Sequence, residues 1–192
     1  MEKSSNRPKK NKVKSSGEEY LFPMLFNISQ SALLRAQKNP DTYEFVVVNV
    51  FAAFAMEAYL NHVAEKKISV WKNIAPKLRR DEKLSQIWKS LGFCPDLSKR
   101  PFSTLAQLFS FRDKIAHGVT DSFETEKTHY LYEQEKPQLR KAGWESACNY
   151  KTALRFLADV RAIVDELRAR AGLNDPFIAT SAKQKWRPIK PA

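Results

Sequence analysis

The segment from Phe45 to Met56 constrains the fold of this chain more than any other part of the sequence. Almost every residue in it is apolar, and the pattern continues to about Lys66, which is far too long for one β-strand. The β-branched run Val46 to Val48 would also suit a buried strand, but the length favours a helix. A helix that is apolar on nearly all sides needs neighbours that cover it. The sequence therefore predicts a helix at the centre of a bundle.

The same segment is not expected to cross a membrane. Its longest apolar stretch, Phe45 to Leu60, is interrupted by Asn49 and Glu57 and falls short of the roughly 20 residues that span a bilayer. No apolar run follows the basic N-terminus as it would in a secretory signal. Cys94 and Cys148 have no spacing typical of a disulfide framework or a zinc site. We therefore expect a cytoplasmic protein with no membrane association, no metal and no cofactor.

Apolar residues at helical spacing predict further helices on both sides of this segment. The expected helices are Phe22 to Lys38, the central helix capped by Asp41 or Thr42, a short and a longer helix within residues 68–92, a helix that begins at a Ser103 or Thr104 cap and ends before Gly118, and Glu145 to Ala171 with Gly172 after it. The chain contains only five glycines, which disfavours a turn-rich β-fold. The pattern predicts an all-α bundle of four to six helices over residues 18–172.

The net charge of +12 is concentrated at the two ends of the chain. Residues 1–17 contain six Lys or Arg and one Glu, and residues 183–192 contain four Lys or Arg and no acidic residue. Because these ends lack apolar periodicity, we expect disordered basic tails over residues 1–17 and 173–192. Such tails attract polyanions through salt-sensitive contacts, and Trp186 could stack on a base. They could equally serve solubility alone.

The chemistry of the sequence is concentrated in the hexapeptide from Arg112 to His117, which reads Arg-Asp-Lys-Ile-Ala-His and lies at the predicted end of a helix. Asp113 and His117 are four residues apart and share a face, and Arg112 flanks that face. With Phe111 before it and Gly118 after it, the hexapeptide resembles the motif of HEPN ribonucleases. That motif is an Arg, four to six further residues of which the first is polar, and a His.

The resemblance also includes the preceding long helix. Glu57 and Asn61 look like the acidic and amide positions that many HEPN proteins place against the motif helix. As an order of helices, the resemblance covers roughly residues 20–170. It implies a HEPN-like bundle that forms a homodimer and acts on RNA.

The function implied by the resemblance is that of a metal-independent endoribonuclease. His117 would act as acid or base, Arg112 would stabilise the phosphate, and Asp113 would orient one of them. Lys114 would contact the substrate. A single histidine is not enough to carry out both proton transfers, so the resemblance implies a two-fold dimer with a composite site. The products would be a 2′,3′-cyclic phosphate and a 5′-hydroxyl, and the setting a toxin or phage-defence effector restrained by an antitoxin or inhibitor protein.

The same residues also fit simpler roles. Arg112 and Asp113 could form surface ion pairs, and His117 could be a residue favoured at a helix end. Glu57 and Asn61 could be an ordinary solvated helix end. The chain would then be a catalytically silent HEPN-like module that dimerises or binds a partner protein, or a nucleic-acid binder that uses its tails.

The remaining histidines and most tryptophans are expected to be structural. His62 points to a different face from the predicted site, and His129 lies in the long connection after Gly118, where residues 128–132 alternate well enough for a short extended arm. Three tryptophans are predicted to fill the core: Trp71, Trp88 and Trp144.

Overall fold

The computed structural model describes residues 13–118, 143–174 and 182–188. Its elements in chain order are β1 (Val13–Glu19), α1 (Leu21–Lys38), α2 (Thr42–Lys67), α3 (Trp71–Ile74), α4 (Arg80–Ser90), α5 (Ser103–Ala116), α6 (Tyr150–Ala171) and β2 (Ala182–Pro188). Short 3₁₀ turns lie at Ala75–Lys77 and Glu145–Ala147. The six α-helices found in these residues confirm the predicted all-α bundle.

Helix α2 lies at the centre of the bundle and contacts all five other α-helices of the described residues. Its fully buried positions cover about half of the helix circumference. The other residues from Phe45 to Val63 are half-buried, so no side of this stretch is exposed. Several of the buried positions are alanines that allow the neighbouring helices to approach closely. Asp41 caps its start by accepting a hydrogen bond of 3.0 Å from the backbone N–H of Tyr43. The predicted central helix and its cap are both confirmed.

By length and composition alone, α2 is long and apolar enough to cross a membrane. The apolar part of this helix is therefore longer than the stretch Phe45 to Leu60 that the sequence indicates. Half of its most apolar stretch is buried inside the protein. Core helices of globular proteins have the same length and composition. The contacts of α2 with five other helices are those of such a core helix.

Helices α1 and α6 each bury one face against α2. The hydroxyl of Ser29 on α1 donates a hydrogen bond of 2.7 Å to the carbonyl of Val48, so this polar group is satisfied inside the core. Gly172 ends α6 with φ of +60°, a left-handed conformation that favours glycine. The predicted end of the last helix is therefore confirmed.

A buried carboxylate anchors the start of α5, the helix that carries the hexapeptide. Asp159 of α6 accepts hydrogen bonds from Arg100 Nε at 2.9 Å and Arg100 Nη2 at 2.7 Å, and a third from the Thr104 hydroxyl. The prediction that Ser103 or Thr104 caps α5 is wrong. The hydroxyl of Thr104 is fully buried and donates to Asp159 instead of accepting a bond from the helix backbone.

The start of α6 also differs from the prediction. The helix begins at Tyr150 and not near Glu145, and Asn149 caps it by accepting a hydrogen bond of 2.9 Å from the backbone N–H of Thr152. The residues before Asn149 form the 3₁₀ turn, which hydropathy alone does not separate from an α-helix. The last helix is therefore about one turn shorter than predicted.

The two basic ends of the chain meet in an antiparallel ribbon. Strand β1 pairs with β2 in a register that runs from Val13 opposite Pro188 to Glu19 opposite Ala182. The sequence analysis did not predict this pairing, because neither segment has the alternating apolar pattern by which a strand is recognised.

Three predicted core tryptophans and His62 lie within the described residues. Trp71 and Trp88 are buried as predicted, and Trp144 is half-buried. His62 packs against the ring of Tyr20, at 5.2 Å between ring centroids, which fits a structural role. The predicted arm at 128–132, with His129, lies outside the described residues.

Both cysteines are free thiols. Cys94 is exposed, whereas burial and, to a smaller extent, the nearby carboxylate of Glu145 raise the pKa of Cys148 to about 11. Cys148 is therefore a protonated thiol at neutral pH, with little nucleophilic character.

Candidate functional site

The packing of α5 against α2 and α6 determines which side chains of the hexapeptide reach solvent. The helix ends at Ala116, and the backbone N–H of His117 donates a hydrogen bond of 2.9 Å to the carbonyl of Asp113. Lys114 and His117 are exposed. Arg112 and Asp113 are half-buried. The helix end therefore has an outer side with an amine and an imidazole, and an inner side with an ion pair.

Arg112 is held against the central helix. Its Nη2 donates a hydrogen bond of 2.7 Å to Glu57 Oε2 on α2, and its side chain is 16% exposed. The structure thus brings together two of the predicted site residues, 55 positions apart in the sequence. This contact orients the guanidinium and offsets much of its charge.

Asp113 lies between two arginines. Its Oδ1 is 3.3 Å from Arg112 Nε, close enough for charge attraction, yet Arg112 Nε has no hydrogen-bond partner among the described residues. Its Oδ2 accepts a hydrogen bond of 2.6 Å from Arg80 Nη2. Side-chain hydrogen bonds between Asp113 and His117 are absent from the described part of the chain, so this carboxylate positions arginines.

Arg80 was missed by the sequence analysis. It is the first residue of α4, and its guanidinium carbon lies 4.9 Å from the ring centroid of Phe109 on α5. A stacked guanidinium over an aromatic face is a stabilising contact. No sequence pattern connects Arg80 to a motif 33 positions away, so only the packing of α4 against the bundle reveals it.

A groove of about 1090 Å³ opens beside the end of α5. From the hexapeptide it is lined by Asp113, Lys114 and His117, but not by Arg112. Arg80 lines the same groove beside Asp113. Aromatic and aliphatic side chains complete the wall: Leu97, Phe102, Leu105, Phe109 and Trp144. A ligand in this groove would meet cations and aromatic surfaces together.

Asn61 lies away from the groove. With Glu57 and Arg80 it lines a crevice of about 30 Å³ between α2 and α4, a space of the size of one water molecule. Asn61 is therefore near the predicted ion pair but does not reach the exposed side of the helix end. From this position Asn61 can support Glu57, but it does not line the groove in which a ligand would bind.

The charges around the helix end are nearly balanced. Three permanent cations, Arg80, Arg112 and Lys114, are accompanied by three carboxylates, Glu57, Asp81 and Asp113. The site alone therefore generates no strong long-range field for a polyanion. Attraction of that kind has to come from the basic ends of the chain.

Within the described residues, no group of three or more His, Cys, Asp or Glu side chains is arranged to hold a metal ion. No family model, no curated protein and no solved structure matches this chain. The likeness to HEPN ribonucleases therefore depends on the hexapeptide and on its place at the end of a helix that packs against a central one.

Proposed function

We propose that this chain is a metal-independent endoribonuclease of the HEPN type, with its site at the end of α5. The observation that carries the proposal is the exposed imidazole of His117 beside a groove that also presents the cations Arg80 and Lys114. Cleavage of RNA needs a group that moves protons and cations that stabilise the charge developing on phosphorus. These side chains supply both.

His117 acts on the 2′-hydroxyl or on the departing 5′-oxygen. An imidazole ring nitrogen can accept a proton in one step and donate one in another. Its exposed position leaves it open to a polynucleotide. The 2′-oxygen attacks phosphorus, the bond to the 5′-oxygen breaks, and a 2′,3′-cyclic phosphate and a 5′-hydroxyl result.

A second copy of the chain completes the site in this proposal. Arg112 and His117 are five positions apart, roughly 140° around a helix, and Arg112 does not line the groove of its own chain. If the ends of two α5 helices met across a two-fold axis, the histidine of each copy would approach the arginine of the other. The dimer also supplies the second titrating group that two proton transfers require.

The biological setting follows from the activity. A cytoplasmic enzyme that cuts cellular RNA would act as a toxin or a phage-defence effector, and an antitoxin or inhibitor protein would restrain it. The basic ends of the chain, with ten Lys or Arg in residues 1–17 and 183–192, would attract RNA without sequence preference.

The test is cleavage of a structured RNA in EDTA by the wild type and by the variants His117→Ala and Arg112→Ala. We expect each variant to lower the rate by at least about 100-fold with an unchanged melting temperature. Arg168→Ala is the matched control, because Arg168 is a half-buried arginine with its own carboxylate partner on α6. Full activity in His117→Ala would overturn the proposal.

One observation favours a catalytically silent HEPN-like module. Arg112 is largely covered and is neutralised by Glu57, as a purely structural ion pair would be. In that case the wild type cleaves no RNA, and Arg112→Ala weakens only the assembly of the dimer. Binding of RNA that is lost on trimming residues 1–17 and 183–192, yet persists in Arg112→Ala and His117→Ala, would instead indicate a binder that uses its ends.

A further inference from the structure

We infer that Arg80, together with Lys114, binds the RNA phosphate inside the groove, which Arg112 does not line in its own chain. This inference rests on the proposed function and identifies the substrate contact within the same site. It assigns a role to a residue that lies outside the hexapeptide and 33 positions before Asp113.

Arg80 and Arg112 differ in the exposure of their side chains. The side chain of Arg80 is 39% exposed and lines the groove, whereas that of Arg112 is 16% exposed and does not. The hydrogen bond from Arg80 to Asp113 uses one of the five N–H groups of the guanidinium. The others remain for a ligand, and the planar fork of an arginine matches two oxygens of a phosphate.

Arg80 is also held in place before any ligand arrives. The ring of Phe109 lies under its guanidinium, and Asp113 fixes one edge. An arginine that is already oriented loses less conformational freedom when it binds a phosphate. Asp113 therefore has the role of presenting Arg80 to the groove.

The groove suits a single strand of RNA better than a duplex. Phe102 and Trp144 contribute aromatic surface to the groove that Arg80 and His117 also line. Unpaired bases stack on such surfaces while cations hold the backbone, and bases inside a duplex do not expose their faces. The substrate class is thus an unpaired segment of RNA.

The experiment measures binding apart from cleavage. A labelled single-stranded RNA of about 12 nucleotides is titrated with the full chain carrying His117→Ala, and affinity is followed by fluorescence anisotropy over a range of salt concentrations. Adding Arg80→Gln should weaken binding about tenfold and reduce the salt dependence by about one counterion. The affinity of the Arg80→Lys variant should lie between that of the His117→Ala parent and that of Arg80→Gln, because lysine keeps the charge and loses the planar fork.

A double substitution separates direct binding from an indirect effect. Arg80→Gln with Asp113→Asn keeps the net charge of the chain and leaves no carboxylate without its partner. If Arg80 contacts phosphate, the double variant stays weak; recovery of wild-type affinity would mean that Arg80 only neutralises Asp113, and the inference would be wrong. Arg168→Gln with Asp165→Asn removes a pair of the same charges on α6 and should bind as the parent does.

The two proposals fail separately. A wild type that binds the strand through Arg80 but never cuts it contradicts the nuclease and leaves Arg80 as a ligand-binding residue. A wild type that cuts RNA, with an affinity and a salt dependence that Arg80→Gln does not change, contradicts the role of Arg80 alone. Melting temperatures of all variants exclude losses caused by unfolding.

Discussion

Two aspartates of this bundle are each held by arginine, and they differ in how completely they are paired. Asp159, whose side chain is 6% exposed, accepts from two nitrogens of Arg100 and from the hydroxyl of Thr104. Asp113, whose side chain is 35% exposed, accepts one hydrogen bond from Arg80, and its contact with Arg112 is not a hydrogen bond.

The difference separates a contact that uses all its partners in holding the fold from one that leaves donors free for a ligand. A buried carboxylate is stable only when its oxygens are fully hydrogen-bonded, so Asp159 tolerates no exchange of partners. Asp113 is half-exposed and bonds only one N–H of Arg80, so a ligand can reach the other N–H groups while this contact stays in place. The pair at the start of α5 holds the helix in place, and the pair at its end is available for binding.

Asp159→Ala should have the largest effect on stability. It leaves the fully buried hydroxyl of Thr104 without its acceptor and removes the bonds to Arg100, so we expect a loss of about 3 kcal/mol in the free energy of unfolding. Urea unfolding measures it. Asp165→Ala, which removes an exposed carboxylate from the same helix, should cost less than about 0.5 kcal/mol. Equal losses in the two variants would contradict a special role of Asp159.

Thr104→Val tests the hydroxyl of this network by itself. Valine keeps the size of threonine but donates nothing, so one oxygen of Asp159 loses a charge-assisted hydrogen bond, at a cost of about 1.5 kcal/mol. Urea unfolding at neutral pH gives the value. Thr152→Val on α6 is a suitable control, since its backbone N–H, and not its side chain, takes part in the Asn149 cap. An unchanged midpoint for Thr104→Val would show that Arg100 alone satisfies Asp159.

Asp113→Asn should change stability least, by less than about 0.5 kcal/mol, because half-exposed ion pairs contribute little. It should nevertheless raise the affinity of the His117→Ala chain for single-stranded RNA by roughly threefold, since a negative charge leaves the groove. Anisotropy titrations at low salt detect this gain. A stability loss as large as that of Asp159→Ala would remove the contrast between the two aspartates.

Periodicity was sufficient to predict the helices, and it failed at positions where a side chain found a distant partner. The limits of α2 follow from its continuous apolar pattern and from Asp41. The cap expected at Ser103 or Thr104 is absent, because Asp159 takes the hydroxyl of Thr104. A local rule cannot anticipate a partner 55 positions away in the sequence.

The candidate site also contains one contact region that the sequence indicated and one residue that it did not. Glu57 was expected from the resemblance to lie against the motif helix, and the structure shows that its partner there is Arg112. Arg80 was not expected, because α4 reaches the hexapeptide only through the packing of the bundle. The assignment of Asp113 to His117 or to Arg112 was left open, and in the structure Asp113 accepts a hydrogen bond from Arg80 and lies in charge contact with Arg112.

The sequence by itself determined that the chain forms helices, which of them lies in the centre, and that an imidazole and a guanidinium occur at one helix end. These properties depend on neighbours along the chain, where helical geometry relates residue identity to position. The tertiary structure decided that Arg80 faces the groove and that Arg112 faces Glu57. Such contacts join residues far apart in sequence, and the relative placement of packed helices alone determines them.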